Sequence, residues 1–195
     1  LENGFSSPAG LGGGAQARVV WPDGRILIGG NFNTVNGITR PRIARLFADG
    51  SVDGTFNAGT GPNSVIYAIV RQPDGKLLIG GNFTNYNGTA RKGIARLNSD
   101  GALDTSFDPG AGVDNEVQAI VLQPDGKVVI GGVWNTVDLV PFRNIARLNS
   151  DGSLDLSFDP GTGANGYVRA MALQPDGKVL IAGDFQSYNN INRNY

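Results

Sequence analysis

Carboxylates are the side chains best suited to chemistry in this chain, because the sequence contains no His and no Cys. That absence excludes Ser-His-Asp and Cys-His catalysis, together with zinc or copper sites built from His and Cys. Glycosidase-type catalysis by two acids remains open, and it needs carboxyls whose pKa values differ. The acids outside the repeated positions described below are Asp114, Glu116, Asp138 and Asp184. We interpret these four as loop acids and predict that the protein is not an enzyme.

Tyr side chains in the variable segments are the second group of candidates. Aromatic rings on loops that also carry Asn and Arg suit a sugar or a protein partner. We therefore predict ligand binding by Tyr67, Tyr86, Tyr167 and Tyr188. Other aromatic residues share a single repeat position, so we predict that they are core residues instead: Phe32, Phe83, Trp134 and Phe185.

The segment 149–155, Asn-Ser-Asp-Gly-Ser-Leu-Asp, has the oxygen-rich composition of a calcium loop. Calcium needs six to eight oxygen ligands, and here the Gly comes too early and too few carboxylates are close. We interpret the segment as an Asp-Gly hairpin turn, and predict neither a metal nor a cofactor. Arg147 and Asp155 face each other across this turn, and we predict a structural ion pair there.

These residues are carried by a repeat with a constant spacing of 51 residues. Pro-Asp-Gly occurs at positions 22, 73, 124 and 175, with no residue inserted or lost between copies. Such regularity indicates stacked supersecondary units in one array, which we place over residues 1–195. The chain holds about 3.8 repeats, so we expect units that are incomplete at both ends and part of a larger ring.

Each unit contains four strand-like runs and no helical period. In the third unit these are 117–122, 127–132, 144–148 and 154–158, with Pro-Asp-Gly and Asp-Gly as the turns. The first two runs are continuously apolar, whereas the last two alternate apolar with polar residues. This pattern predicts blades whose solvent exposure increases from the first strand to the fourth. The pattern favours an all-β fold, a β-propeller of four-stranded antiparallel blades. A parallel β-solenoid is the alternative.

Net charge argues against two classes of partner. The formal net charge is −1, without a cluster of Lys or Arg, so nucleic acid and acidic membranes find no complementary surface. No apolar run approaches the length of a membrane span. We predict no nucleic acid partner and no insertion into a membrane.

The repeated phrases resemble a known family. Segment 122–132, Leu-Gln-Pro-Asp-Gly-Lys-Val-Val-Ile-Gly-Gly, is followed by Ile-Ala-Arg-Leu-Asn at 145–149 and Asp-Gly-Ser-Leu-Asp-Leu-Ser-Phe at 151–158. Together they resemble the bacterial delta-60 repeat, a β-propeller family of large secreted and surface proteins. The resemblance implies a propeller and an extracellular or cell-surface location, and it implies no particular reaction.

We therefore predict a non-enzymatic secreted or surface module for protein or glycan binding and assembly. The alternative is a carbohydrate-active enzyme using Asp184 or Glu116. An open array of blades would expose apolar faces. We expect further blades of the same polypeptide, a second copy or another protein to cover them, and we expect residues 1–195 not to be a soluble monomer by themselves.

Overall fold

The computed structural model describes residues 10–193, and every regular element in that range is a β-strand. The all-β prediction is confirmed. Within the same range, no helix has the length and apolarity needed to cross a membrane. The strands in chain order are β1 (Leu11–Val20), β2 (Ile26–Val35), β3 (Ile38–Thr39), β4 (Ile43–Leu46), β5 (Ile66–Arg71), β6 (Leu77–Gly81), β7 (Asn85–Tyr86), β8 (Thr89–Ala90), β9 (Ile94–Leu97), β10 (Glu116–Leu122), β11 (Val128–Val133), β12 (Thr136–Val137), β13 (Val140–Pro141), β14 (Ile145–Leu148), β15 (Val168–Leu173), β16 (Val179–Gly183), β17 (Ser187–Tyr188) and β18 (Ile191–Asn192).

The strands form four successive units, numbered 1 to 4 here, that begin at β1, β5, β10 and β15. In units 1 to 3 the first strand pairs antiparallel with the second, and the second with the third, as in the β10-β11-β14 sheet. In unit 4 the described residues form only the pairing of the first strand with the second, β15 with β16. Pro-Asp-Gly closes each first hairpin: Gly126 has a φ of 84° and donates its N–H to the carbonyl of Gln123 at 2.9 Å. The predicted turn is confirmed.

A short two-stranded hairpin follows the second strand of units 2 to 4, and in unit 1 the end of β2 forms the equivalent hairpin with β3. This hairpin is not among the four predicted strands of a unit. In unit 2 it is β7 and β8, joined by Asn87 and Gly88, which both have positive φ. Positive φ at both central residues defines the type I′ turn, which Asn-Gly favours because its backbone twist matches that of the strands.

The predicted fourth strand is reduced to one bridge in each of units 1 to 3. In unit 3 the bridge pairs Leu148 with Leu154. The next residue, Asp155, accepts hydrogen bonds from the N–H and the hydroxyl of Ser157 at 3.0 and 2.6 Å. This local side-chain bonding turns the chain away from the ladder, because it competes with strand pairing.

The predicted order of burial is wrong. The third strand, expected to have a wet face, is fully buried in unit 2, where every residue of β9 including Arg96 is enclosed. The first strand is the less buried one, since β5 is only partly covered. The prediction failed because an Arg in a strand pattern indicates an exposed position. Here Arg96 is buried, since Asp104 neutralises its charge inside the unit.

Units stack through glycines of the second strands. A Cβ built on Gly80 would meet Val117 Cγ1 at 2.8 Å and Ile120 Cδ1 at 3.0 Å, so the next unit's first strand packs directly on this glycine. First strands of adjacent units also contact one another, β1 with β5, β5 with β10 and β10 with β15. The first strands are therefore the inner strands of a propeller-like arc.

The arc is not closed. Units 1 and 4 share no packing comparable to that between successive units within residues 10–193. Val20 of unit 1 is 58% exposed and Leu180 of unit 4 is 55% exposed. Apolar faces are thus open at both ends of the arc, and how they are covered stays a prediction.

The aromatic residues predicted as core differ between inner and terminal units. Phe32, Phe83 and Trp134 are buried, as predicted. Phe185 of unit 4 is only partly buried and lines an open groove between units 3 and 4. The difference follows from its position in the terminal unit, where the covering layer found in the other units is not present within the described range.

Leu139 provides a test of this turn geometry. It stands where units 1 and 2 have Gly37 and Gly88, and it is held at a φ of 66° with its side chain 80% exposed. A left-handed backbone costs a non-glycine residue about 1–2 kcal/mol, and an exposed side chain repays little of it. We expect Leu139→Gly to raise the unfolding free energy by about 1 kcal/mol in thermal and urea denaturation. The reciprocal Gly88→Leu should lower it, and an unchanged stability in both proteins would contradict the argument.

Candidate functional site

Each inner strand contains a β-bulge at the same repeat position. In unit 2 the pairing passes from Ile66↔Gly81 to Ala68↔Gly80, which leaves Tyr67 as the extra residue. The other bulge residues are Gln16, Gln118 and Arg169. Bulges redirect a side chain out of the regular alternation and are frequent at functional sites. The repeat thus brings one bulge residue from each unit to the same level of the inner strands.

The second strands of units 1 to 3 contain a pair of glycines, Gly29-Gly30, Gly80-Gly81 and Gly131-Gly132, and the second glycine of each pair makes the bulge possible. A Cβ on Gly81 would lie 2.0 Å from the carbonyl oxygen of Val65, and one on Gly132 would lie 2.1 Å from that of Glu116. Only glycine permits such close backbone approach. The first glycine of the pair meets side chains instead, which explains why unit 4 tolerates Ala182 at that position.

Polar side chains from units 3 and 4 form one network at the bulges. Gln118 Nε2 donates to Glu116 Oε1 at 2.7 Å, and Arg169 donates to Gln118 Oε1 at 3.3 Å. Arg169 also donates from Nε to Asp184 Oδ2 at 2.8 Å. The Arg169 guanidinium lies 4.8 Å from the centre of the Tyr167 ring, within the range of a cation–π contact.

Tyr67 joins the network from unit 2. Burial raises the pKa of its hydroxyl, and the charge and hydrogen bonding of the neighbouring Glu116 carboxylate raise the pKa further. The hydroxyl therefore stays protonated and can donate a hydrogen bond. With Tyr167, which is 36% exposed, the site presents two aromatic rings beside a carboxylate, an amide and a guanidinium. We call Tyr67, Glu116, Gln118, Tyr167, Arg169 and Asp184 the inner-strand site.

Asp184 is held ionised. Its hydrogen bond and ion pair with Arg169 lower the pKa of the carboxyl below the ordinary value, with the hydrogen bond as the largest cause. A general acid at neutral pH needs the opposite shift. The acids Asp114 and Asp138 lie outside the inner-strand site and bind loop backbone. Asp114 accepts a hydrogen bond from the N–H of Asn135 at 2.9 Å, and Asp138 accepts one from the N–H of Ala111 at 2.8 Å.

Two of the four predicted binding tyrosines lie away from this site. Tyr86 is completely buried and its hydroxyl donates to the carbonyl of Gly101 at 2.6 Å, so it presents no surface to a ligand. Burial raises the pKa of Tyr86. Tyr86 must therefore be removed from the binding set, because it belongs to the core of unit 2. Tyr188 is partly buried against Met171 and Ile181 in unit 4.

The predicted ion pairs between the repeated Arg and Asp residues are present. Arg96 Nε donates to Asp104 Oδ2 at 2.7 Å, and Lys76 Nζ donates to the same oxygen at 2.8 Å. The Arg96 guanidinium stacks 4.9 Å from the centre of the Phe107 ring. Burial raises the pKa of Asp104, but hydrogen bonds from Lys76, Ser106 and Arg96 outweigh burial and leave that pKa below its ordinary value.

The segment with calcium-loop composition forms the predicted turn. Asp151 Oδ1 accepts from the N–H of Ser153 at 3.0 Å, and the N–H of Gly152 donates to the carbonyl of Asn149 at 3.0 Å. In residues 10–193 no group of three or more acidic side chains is arranged to hold a metal ion.

Sequence reasoning missed Gln118 and Arg169, which connect the inner-strand site. Both occupy the 51-residue register of Tyr67, so aligning the units position by position would have revealed them. It also missed Asn144, a buried amide at a φ of 65° that donates to the carbonyls of Ala164 and Gly166 at 2.8 and 3.0 Å. That residue fastens unit 3 to unit 4, and no sequence signal distinguishes it from a loop Asn.

Comparison with known families supports the repeat assignment. A family described as "Domain of unknown function (DUF5122) beta-propeller" matches residues 22–56, 72–107, 123–158 and 174–195. The chain belongs to the DUF5122 β-propeller family. Each DUF5122 match begins at or next to a Pro-Asp-Gly turn, directly after the first strand of a unit, and the first three end at Phe56, Phe107 and Phe158. Each of these three matches therefore covers the second and third strands of one unit and the turn that follows them. The β-propeller repeat is thereby confirmed, while the delta-60 subgroup stays a prediction.

One solved structure agrees on the fold, and a second is a weaker match. One from the "Crystal Structure of Mitotic Checkpoint Complex" has a TM-score of 0.61 at 19% identity and covers 89% of this chain. This DUF5122 chain spans 47% of the length of that protein. A second structure, the extracellular domain of the one-component system BT4673 from B. thetaiotaomicron, has a TM-score of 0.47 at 14% identity, covering 92% of this chain and 26% of its own. A comparison with curated proteins gave no significant match.

Proposed function

We propose that this DUF5122 chain is a non-enzymatic binding module whose inner-strand site takes a neutral glycan. The observation that supports the proposal is the convergence of Tyr67, Glu116, Tyr167 and Arg169 from three successive units on one level of the inner strands. Sites carried on paired strands are held rigidly, which lowers the entropic cost of binding.

The chemistry of the site matches a sugar. Aromatic rings pack against the apolar face of a pyranose, while carboxylate, amide and guanidinium groups exchange hydrogen bonds with its hydroxyls. The two acids and the single Arg of the site do not favour an anionic ligand. A protein partner is the competing occupant, and it would use the same aromatic and charged groups.

The non-enzymatic part of the proposal is supported by the state of the acids. Asp184 is paired with Arg169 and its pKa is lowered, so it is poorly suited to protonate a leaving group. The alternative function, a carbohydrate-active enzyme, is favoured by one observation. Glu116 and Asp184, the two acids considered for catalysis from sequence, lie in the same network.

A secreted or cell-surface location belongs to the proposal and is supported by the resemblance of the repeated phrases to the delta-60 repeat. Fractionation of cells that express the natural gene, with immunodetection of intact and protease-shaved cells, tests it. Detection exclusively inside protease-resistant cells would contradict the location.

The binding proposal is tested on an array of neutral and acidic oligosaccharides with the natural full-length protein. We expect the array to retain the protein on a neutral glycan. Arg169→Ala should lower the affinity about tenfold or more, because it removes a hydrogen-bond donor and the contacts that hold the Asp184 and Tyr167 side chains in place. The matched control is Arg25→Ala, since Arg25 forms a similar exposed ion pair with Asp23 away from the inner strands.

Three outcomes would contradict parts of the proposal. Equal glycan affinity of the Arg169→Ala and Arg25→Ala proteins would place binding elsewhere. Binding of a protein at the inner-strand site, with no glycan bound, would show that the ligand of the site is a protein partner. Turnover of any bound oligosaccharide that Glu116→Gln or Asp184→Asn abolishes would establish the enzymatic alternative.

A further inference from the structure

A pocket of about 410 Å³ lies between units 1 and 2, at the end of the inner strands that carries the Pro-Asp-Gly turns. Strand β5 has the bulge residue Tyr67 near its start and Arg71 at its end, so the pocket and the inner-strand site lie at opposite ends of the inner strands. Its volume lies within the range of about 300–1,000 Å³ that is typical of small-molecule sites. We call it the turn-side pocket, and its lining includes Trp21, Arg25, Arg45, Arg71, Ser99 and Asp100.

Both walls of the turn-side pocket are in place. Arg45 of unit 1 donates to the carbonyl of Ser99, in the turn after β9, at 2.7 Å. The N–H of Asn57 donates to the carbonyl of Asp100 in the same turn at 2.6 Å. Phe56 beneath this turn is 1% exposed. The pocket is therefore part of a complete contact between two successive units.

The lining departs from the repeat at three positions, those of Trp21, Arg25 and Arg71. The other units form the same strands with different residues there, so the shared blade structure does not require these three side chains. Their concentration in one pocket favours a role outside the blade. The equivalent residues are Gln72, Gln123 and Gln174 for Trp21, Lys76, Lys127 and Lys178 for Arg25, and Val20, Leu122 and Leu173 for Arg71.

The departure at Arg25 leaves space in the pocket. In unit 2 the equivalent Lys76 extends to the Asp that follows the third strand and donates to it at 2.8 Å. Arg25 instead donates from Nε to Asp23 of its own turn at 2.8 Å, and Asp53 is left to Arg45. Because Arg45 lines the pocket, a side chain extended from position 25 to Asp53 would occupy part of it.

Arg71 is prepared to bind a carboxylate. Its guanidinium lies 5.7 Å from the centre of the Trp21 ring, within the range of a cation–π contact. The side chain is exposed, and its guanidinium has no ion pair or hydrogen bond within residues 10–193. A planar guanidinium matches both oxygens of a carboxylate, and contact with an aromatic ring lowers the entropic cost of ordering it on a ligand.

The charges of the pocket suit a ligand with one negative charge. Arg25 and Arg45 are each paired with an Asp, so Arg71 is the cation of the lining that a ligand can neutralise. The Asp100 carboxylate accepts from the N–H of Ala102 at 3.0 Å and can accept further hydrogen bonds from hydroxyl groups. A doubly charged phosphate would be repelled by Asp100.

We propose that the turn-side pocket binds an acidic sugar, a pyranose that carries one carboxylate, as a uronate does. The carboxylate pairs with Arg71, the apolar edge of the pyranose contacts the exposed part of Trp21, and Asp100 accepts hydrogen bonds from the sugar hydroxyls. No residue of the inner-strand site lines this pocket, so the proposal does not rest on the neutral-glycan site.

Isothermal titration calorimetry of the natural full-length protein tests the proposal with two matched pairs of ligands. The first pair is sodium glucuronate and glucose, and the second is a uronate oligosaccharide and its carboxyl-reduced form, all at one ionic strength. We expect saturable binding of a uronate ligand and at least tenfold weaker binding of its neutral counterpart, which lacks the partner of Arg71. Binding of glucuronate itself indicates a free sugar as the ligand, whereas binding limited to the oligosaccharide indicates a residue within a glycan chain.

Substitutions taken from the repeat itself locate the ligand without changing the blade. Arg71→Leu should weaken uronate binding about tenfold or more, because it removes the charged donor. Trp21→Gln should weaken it about 3- to 10-fold, because it removes the aromatic contact. Arg18→Leu is the matched control, an exposed Arg of β1 that does not line the pocket, and it should leave uronate affinity unchanged.

Arg25→Lys tests the space in the pocket while the formal charge is kept. The shorter side chain should reach Asp53, as Lys76 reaches its Asp. The ligand then has to displace an ion pair, so we expect affinity to fall by about 2- to 5-fold. Unchanged affinity, with Arg71→Leu also unchanged, would overturn the proposed location.

The result is separable from that for the inner-strand site. Arg169→Ala should abolish neutral-glycan binding and leave uronate affinity unchanged, because Arg169 lies at the other end of the inner strands. Loss of uronate binding in that protein would place the acid at the inner-strand site and overturn the proposal. Absence of uronate binding, with neutral-glycan binding intact, would overturn this proposal alone.

Three further outcomes would each overturn the proposal. Equal affinity for the uronate and its neutral counterpart would show that the carboxylate is not recognised. Equal affinity for inorganic sulfate would show a general anion site. Tighter binding of a tetraglutamate peptide than of any uronate ligand would show that the pocket takes an acidic polypeptide.

Discussion

Asp104→Ala is expected to lower the unfolding free energy by about 3–5 kcal/mol, because it leaves a buried guanidinium without its counter-charge. Asp104 is 7% exposed and accepts from Arg96, Lys76 and Ser106. The loss extends to the next unit, since Arg96 also holds the carbonyl of Ser150. Urea denaturation followed by circular dichroism measures the effect.

Asp74→Ala is the matched control for this prediction. Asp74 lies in the exposed Pro-Asp-Gly turn of the same unit and accepts from the N–H of Lys76 at 3.1 Å. A surface turn Asp contributes about 0.5–1 kcal/mol, so its removal should cost far less. Similar losses in the two proteins would show that the buried ion pair is not a special contributor to stability.

The same carboxylates make stability depend on pH. The pKa values of Asp53, Asp104 and Asp155 are lowered in the folded chain, so the unfolded chain binds protons first as the pH falls. Their stabilisation is complete above the unfolded pKa, and it is lost as pH falls from about 5 towards the folded values. Asp104→Asn should therefore show a shallower decline of Tm between pH 5 and 3 than the unaltered chain.

Gly81→Ala is expected to lower the unfolding free energy by about 3 kcal/mol or more, or to prevent folding of unit 2. The added Cβ would lie 2.0 Å from the backbone oxygen of Val65 and 3.1 Å from the Cα of Ile66. Backbone atoms in a paired ladder have no alternative rotamer, so the strand has to separate or the bulge at Tyr67 has to disappear.

Two other glycine substitutions calibrate this effect. Gly80→Ala places its Cβ against the side chains of Val117 and Ile120, which can move, and a loss of about 1–3 kcal/mol is expected. Gly54→Ala should be neutral, because nothing lies within 4 Å of its Cβ and other units have Thr105 and Leu156 there. Equal losses at Gly80 and Gly81 in chemical denaturation would contradict the distinction between side-chain and backbone neighbours.

The sequence by itself determined the repeat, the Pro-Asp-Gly turns and the first hairpin of each unit. A Pro-Asp-Gly triplet encodes its own geometry, because Pro presets one φ and Gly accepts the left-handed conformation that follows. Gly126 and its equivalents adopt that conformation. The pairing of Arg147 with Asp155 was also predictable from the sequence, since both residues lie on the same hairpin only eight positions apart.

Tertiary structure alone decided which residues share a site. Tyr86 and Tyr67 look alike in the sequence, yet one is sealed in the core and the other stands on a bulge beside Glu116. The bulge arises because a glycine of one strand lets a carbonyl of its partner strand approach, and that pairing is not a local property of either segment. The joining of Arg169 to Gln118 follows from the stacking of successive units.

Burial was likewise decided by stacking and not by local pattern. Arg45, Arg96 and Arg147 have the same local sequence and the same Asp partner, but their exposure increases towards unit 4. The first two are covered by the turn of the following unit, whereas Arg147 lines the open groove between units 3 and 4. A repeat can therefore encode identical units, while the environment of each unit depends on the neighbour that packs against it.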